Sequence, residues 1–110
     1  MPLTLYGLKN CDTCKKALKA LEAADKNVTF IDIRSEADLP TVLLKWLSKA
    51  GADRLINRRS TTWRTLSEDE RNADPMTLLA AHPTLIKRPV IERGDEVFVG
   101  WSKNEQSVLL

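Results

Sequence analysis

The sequence predicts an α/β fold: a mixed four-stranded sheet with a helical insertion between its second and third strands. Three observations predict it. A short apolar run, a helical stripe and a second apolar run follow one another between residues 3 and 33, the order of a βαβ unit. Two alternating runs around a Gly-Asp step between residues 90 and 99 read as a hairpin. Between these, from about 36 to 84, the chain reads as helices and turns.

The first strand is Leu3 to Tyr6, closed by Gly7. The helix that follows starts near Asp12 or Thr13 and sets Cys14, Ala17, Leu18 and Leu21 at the i, i+3, i+4, i+7 spacing of one buried face. Lys15, Lys16 and Lys19 fall off that stripe. Val28 to Ile33, "VTFIDI", is rich in β-branched and aromatic residues and forms the second strand. Strands joined through a helix pair in parallel with a right-handed crossover. The loop before Asp12 therefore lies at the carboxyl end of the first strand, the edge where open α/β sheets hold ligands.

In "ADLPTVLLKWLSKAG", Leu39, Val42, Leu43, Trp46, Leu47 and Ala50 share a helical face, with Pro40 at its start and Gly51 past its end. The polar segment "DRLINRRSTTWRTLSEDERN" predicts short helical turns with a loop around Arg58 to Thr62. Asp74 and Pro75 are an N-cap and first-turn proline for a helix ending at His82-Pro83. Val90 to Arg93 and Glu96 to Val99 flank Gly94-Asp95 as the hairpin, and Ser102 with Glu105 is a capping box for a last helix ending in Val108, Leu109 and Leu110. This βαβ, helices, ββα order is the thioredoxin-like (glutaredoxin-like) plan, in a single domain spanning residues 1–110.

Seventeen Lys and Arg against fifteen Asp and Glu leave a net charge of +2, which argues against direct nucleic-acid binding through phosphates. No apolar run reaches the roughly 18 residues a membrane helix needs, and "MPLTLYG" lacks the pattern of a signal peptide. A cytoplasmic location is expected. The chain has two cysteines, Cys11 and Cys14, too few for a disulfide scaffold and spaced for redox or metal chemistry.

Cys11 falls at the first helical turn, where unpaired N–H groups and the helix dipole favour an anion, and Lys9, Lys15 and Lys16 act in the same direction. Its thiol is expected below the free value of ~8.5, which makes it the nucleophile. Cys14, one turn on, is either the resolving thiol or a small core residue. A zinc site needs more ligands than these two and His82 supply, so no metal is expected. Arg88-Pro89 stands before the third strand; a cis Pro89 there offers a backbone edge to an extended thiol peptide, and Arg88 joins the site. Arg58, Arg59 and Arg64 flank "STTW" and suit a wall that binds carboxylates or oxyanions. Lys9, Asn10 and Thr13 complete the substrate-binding set. His82 reads as a cap or packing residue. Trp46, Trp63 and Trp101 read as core, with Trp63 also placed to line a cleft.

The segments "LYGLKNCDTCKKALKAL", "INRRSTTWRTL", "HPTLIKRPVI" and "VGW" together resemble the arsenate reductase-related family, which includes ArsC-type reductases, Spx transcriptional regulators and the YffB-type group. "YG-K-CDT-KKA" and "RSTTWR" look most like the YffB-type group. The resemblance implies a thioredoxin-like fold with a helical insertion, and a thiol reductase that uses glutathione as co-substrate and holds no tightly bound cofactor. It matches the ArsC nucleophile to Cys11 and the arginine of the "RP" pair to Arg88. In an ungapped match the two other oxyanion-binding arginines of ArsC-type enzymes fall on Asn57, next to Arg58, and on Gly100, and a histidine before the cysteine falls on Gly7.

Glutathione-dependent thiol-disulfide reduction is therefore the first expectation. Its expected partners are glutathione, a small-molecule or protein thiol or disulfide, and glutaredoxin, with the chain a monomer. A redox-responsive regulator that binds RNA polymerase, as the Spx resemblance implies, is the alternative, and weak arsenate reduction a third.

Overall fold

In the computed structural model, which describes residues 2–110, the chain divides into two compact units. One comprises the chain up to Ala37 together with Arg88–Leu110, and the other is Asp38–Lys87.

The first unit holds the sheet. Its strands are β1 (Leu3–Gly7), β2 (Val28–Asp32), β3 (Val90–Arg93) and β4 (Glu96–Val99), in the order β2-β1-β3-β4. β1 runs parallel to β2, with Leu3 opposite Val28 and Gly7 opposite Asp32; β1 is antiparallel to β3, and β3 to β4. Helix α1 (Asp12–Ala23) makes the crossover and α7 (Lys103–Leu109) closes the chain. The mixed sheet expected from the sequence is present, with two adjustments. Gly7 is part of β1 rather than its stop, and β2 ends at Asp32, although the Ile33 N–H still donates to the Gly7 carbonyl at 3.0 Å.

Alternation along β1 sets its buried face. Leu3 and Leu5 point the same way and pack with Cys14, Ala17 and Leu21 of α1, Ile91 of β3 and Leu109 of α7. Each Leu or Ile side chain so buried contributes about 1.5–3 kcal/mol. Gly7 continues the same i, i+2 series and so faces α1.

The second unit is helical: α2 (Leu39–Lys49), α3 (Ala52–Leu55), α4 (Thr61–Thr65), α5 (Glu68–Arg71), α6 (Pro75–Ala81) and a 3₁₀ turn at Pro83–Leu85. Leu43 and Trp46 of α2 are fully buried, α2 packs on α6, and Leu78 and Leu79 of α6 are buried as well. Asp74 caps α6 by accepting the Thr77 N–H, and Ser67 with Glu70 forms a capping box on α5. The unit runs to Lys87, past the expected end at 84. An Ile56–Ile86 bridge and a 2.7 Å bond from the Lys87 N–H to the Leu55 carbonyl hold the chain there. Among the described residues no helix is long and apolar enough to cross a membrane.

Candidate active site

β1 and α1 are joined by the turn Leu8–Asn10, which the Cys11 N–H closes by donating to the Leu8 carbonyl at 3.1 Å. The Cys11 carbonyl then accepts the Lys15 N–H at 3.0 Å, the first helical bond, so Cys11 is the N-cap of α1 with extended backbone (φ −92, ψ 117). Its side chain makes no cap hydrogen bond of ordinary geometry, and the helix terminus acts on the sulfur as a set of oriented N–H dipoles.

The thiol is half-buried, and this burial opposes ionisation. It is outweighed by the Cys14 N–H, the Cys14 thiol and the Arg88 guanidinium, so Cys11 lies below the ordinary thiol value. Cys14 is the opposite case. It is 1% exposed, and burial pushes its thiol up to about 12. The Leu8 N–H facing it pulls down, while the charge on Cys11 pushes further up. Of the two, Cys11 is therefore the thiol that ionises first, and Cys14 the one that keeps its proton. Both are free thiols.

Arg88 reaches this site because β3 lies beside β1, with Val90 opposite Tyr6. The Arg88–Pro89 peptide is cis, as expected from the sequence, and the buried Pro89 has its carbonyl bonded to the Gly100 N–H at 2.8 Å. Lys9 and Asn10 are exposed and, with Leu8, Asp32, Arg34 and Ser35, line an open cleft of about 450 Å³. Thr13 is exposed in the first turn of α1. Asp32 shapes the far side of this cleft by accepting the Arg34 and Ser35 N–H groups at 2.8 and 3.0 Å. Asp32, Arg34 and Ser35 are not among the residues expected at the site; their signal in the sequence is an aspartate two and three residues before the amides it holds.

Arg58 and Arg59 belong to the helical unit. Arg58 pairs with Asp53 at 3.3 Å and stacks on Trp63 at 5.5 Å; Arg59 is exposed and shares a cleft with Arg54, Asn57 and Lys87. A second cation stacks on Trp63, Arg71, at 5.4 Å. Its Nε and Nη2 also donate to the Trp63 carbonyl at 3.2 and 3.0 Å, so it ties α5 to α4. His82 pairs with Glu70 at 3.4 Å, a packing role. Among the described residues no three His, Cys, Asp or Glu side chains cluster so as to hold a metal ion.

A mixed sheet of this order, with a cysteine loop at the carboxyl end of its first strand and a cis-proline before its third, defines a thioredoxin-like protein. The family model described as "ArsC family" matches residues 6–108, and the chain belongs to that family. An uncharacterized protein of Haemophilus influenzae is 41% identical over 94% of both chains. The solved structure of a protein named YFFB is 34% identical, covers 98% of each chain and superposes with a TM-score of 0.88. The global transcriptional regulator Spx of Staphylococcus aureus is 29% identical over 94% of this chain and 82% of its own.

Proposed function

We propose that this protein is a glutathione-dependent thiol-disulfide reductase with Cys11 as its nucleophile. The observation that carries the reading is the placement of two free thiols one helical turn apart, Cys11 half-buried at the N-cap of α1 within reach of Arg88 and Cys14 buried in the core behind it. A nucleophile needs the first position and a resolving thiol waiting in reserve needs the second.

In the first step the Cys11 thiolate attacks one sulfur of a substrate disulfide. That S–S bond breaks, a Cys11–substrate disulfide forms, and the leaving thiolate takes a proton from water. Cys14 then gives up its proton and attacks the Cys11 Sγ, releasing the second substrate thiol and leaving a Cys11–Cys14 disulfide. One glutathione thiolate opens this bond at Cys11, and Cys14 recovers its proton. A second attacks the glutathione sulfur, releasing oxidised glutathione and the Cys11 thiolate. Two glutathione thiols are oxidised for each substrate disulfide reduced. Without Cys14, glutathione resolves the first mixed disulfide directly. In this reading Arg88 steadies the thiolate. Lys9, Asn10 and Thr13 line the approach to Cys11.

The test is reduction of a small disulfide by glutathione, followed with glutathione reductase and NADPH. Wild type turns over and Cys11→Ser does not; a wild-type protein without activity refutes the reading. The Spx relative supports a second reading, a redox-responsive regulator that binds RNA polymerase. Capture of the polymerase α-subunit by the oxidised or reduced protein tests it, and no capture in either state removes it.

A further inference from the structure

Gly7 is buried on the face of β1 that looks at α1, in series with Leu3 and Leu5. A Cβ built on it would stand 2.5 Å from the Cys14 Sγ, 3.1 Å from the Cys14 Cβ and 3.4 Å from a methyl of Leu5. The first of these distances is not tolerated between real atoms, and neither the Cys14 sulfur nor the strand is a flexible side-chain end. The space a side chain at position 7 would fill is taken by a sulfur.

We propose that Gly7 is a positioning residue for the nucleophile: by lacking a side chain it seats the Cys14 sulfur against β1, where the Cys14 thiol donates to the Cys11 thiolate. This rests on Cys11 being the nucleophile, as proposed above. The seat has two walls, the bare Cα of Gly7 and the Leu8 N–H, which faces the same sulfur. Arg88, two residues before β3, acts on both sulfurs; Lys9 of the loop and Lys15 of α1 border the cavity that reaches Cys14.

The experiment measures iodoacetamide alkylation of Cys11 against pH, read by mass spectrometry, in wild type, Gly7→Ala, Cys14→Ala and Gly7→Ala/Cys14→Ala. Gly7→Ala should move the midpoint upward and slow alkylation at pH 6 by about threefold or more, the loss of thiolate outrunning the gain in nucleophilicity. Cys14→Ala should do the same, and the double variant should match Cys14→Ala, because once the sulfur is gone the nearest atoms left are the residue-14 Cβ at 3.1 Å and a Leu5 methyl at 3.4 Å, which a shift of a few tenths of an ångström accommodates. A Gly7→Ala profile equal to wild type overturns the proposal, as does a double variant shifted beyond Cys14→Ala. If Gly7→Ala alone does not fold, folding of the double variant upholds the seat and its failure overturns it. A wild-type Cys11 that titrates like a free thiol instead refutes the nucleophile reading, a separate outcome.

Discussion

Replacing Arg88 with Gln should weaken the Cys11 thiolate without disturbing the strand it precedes. The guanidinium acts on the sulfur both as a hydrogen-bond donor and as a charge. A hydrogen bond to a charged group contributes about 1.5–3 kcal/mol. Cys11 is only half-buried, so solvent screening places this one near the lower end, about 1.5 kcal/mol, or roughly tenfold in the thiolate-to-thiol ratio. The rate changes less than the ratio, because a more basic thiolate is also the better nucleophile, with a Brønsted slope of about 0.4–0.5. The variant should alkylate about three- to fourfold more slowly well below the midpoint and faster than wild type well above it. Arg88→Lys keeps the charge, loses the planar fork and should fall between the two. Stopped alkylation read by mass spectrometry across pH 5–10 gives the curves. Crossing curves mark a lost electrostatic partner. Superimposable curves, or a variant slower at every pH, would refute the assignment of Arg88 to the thiolate.

Cys14→Ser should alter stability at alkaline pH. The folded Cys14 holds its proton up to about 12 and the unfolded thiol releases it near ~8.5, so its contribution is intact below ~8.5 and lost as pH rises toward 12. Urea midpoints measured from about pH 7 to 10 should fall more steeply for wild type than for Cys14→Ser; parallel slopes would show that the buried thiol does not hold its proton. Asp74→Ala removes the cap on the Thr77 N–H of α6 and should cost about 1 kcal/mol in the same urea assay, with Asp74→Ser close to wild type.

How much of this the sequence disclosed depends on whether a feature belongs to one element or to several. The change from alternating to helical spacing between Tyr6 and Cys14 is local, and it located both the β1–α1 junction and Cys11 at its N-cap. The Asp74-Pro75 start of α6 and the hairpin around Gly94 are local in the same way. Arg71 was not legible. Its place on Trp63 depends on how the chain turns between α4 and α5, and periodicity reports the face of one helix, not which cation reaches an indole across a turn. The hold on the chain at Ile86–Lys87 is not legible for a similar reason, since it rests on a pairing with Leu55–Ile56 some 30 residues away. Spacing alone allows Cys14 to be a core residue or a thiol that takes part in the chemistry, and which groups surround it depends on three elements at once. It packs with Leu5 and Leu21, and its thiol faces the Cys11 sulfur.

The three positions at which this chain departs from the arginine and histidine pattern of ArsC-type enzymes each have a structural task here. Gly7 makes room for the Cys14 sulfur. Asn57 closes a turn, its Oδ1 accepting the Arg59 N–H at 3.2 Å and its carbonyl the Ser60 N–H at 3.2 Å. Gly100 has φ +89, a backbone conformation that L side chains rarely adopt, and its N–H is spent on the Pro89 carbonyl. Restoring an arginine at that position therefore does more than add a charge: it forces a Cβ into the left-handed region, at a cost of about 1–3 kcal/mol. Gly100→Arg should accordingly lose stability by about that amount in urea, through strain beside the cis-proline, and should not reduce arsenate when supplied with glutathione and glutaredoxin. A Gly100→Arg protein with wild-type stability and arsenate turnover would show that the backbone of this site does not oppose oxyanion chemistry, and that a missing guanidinium alone separates it from the arsenate reductases.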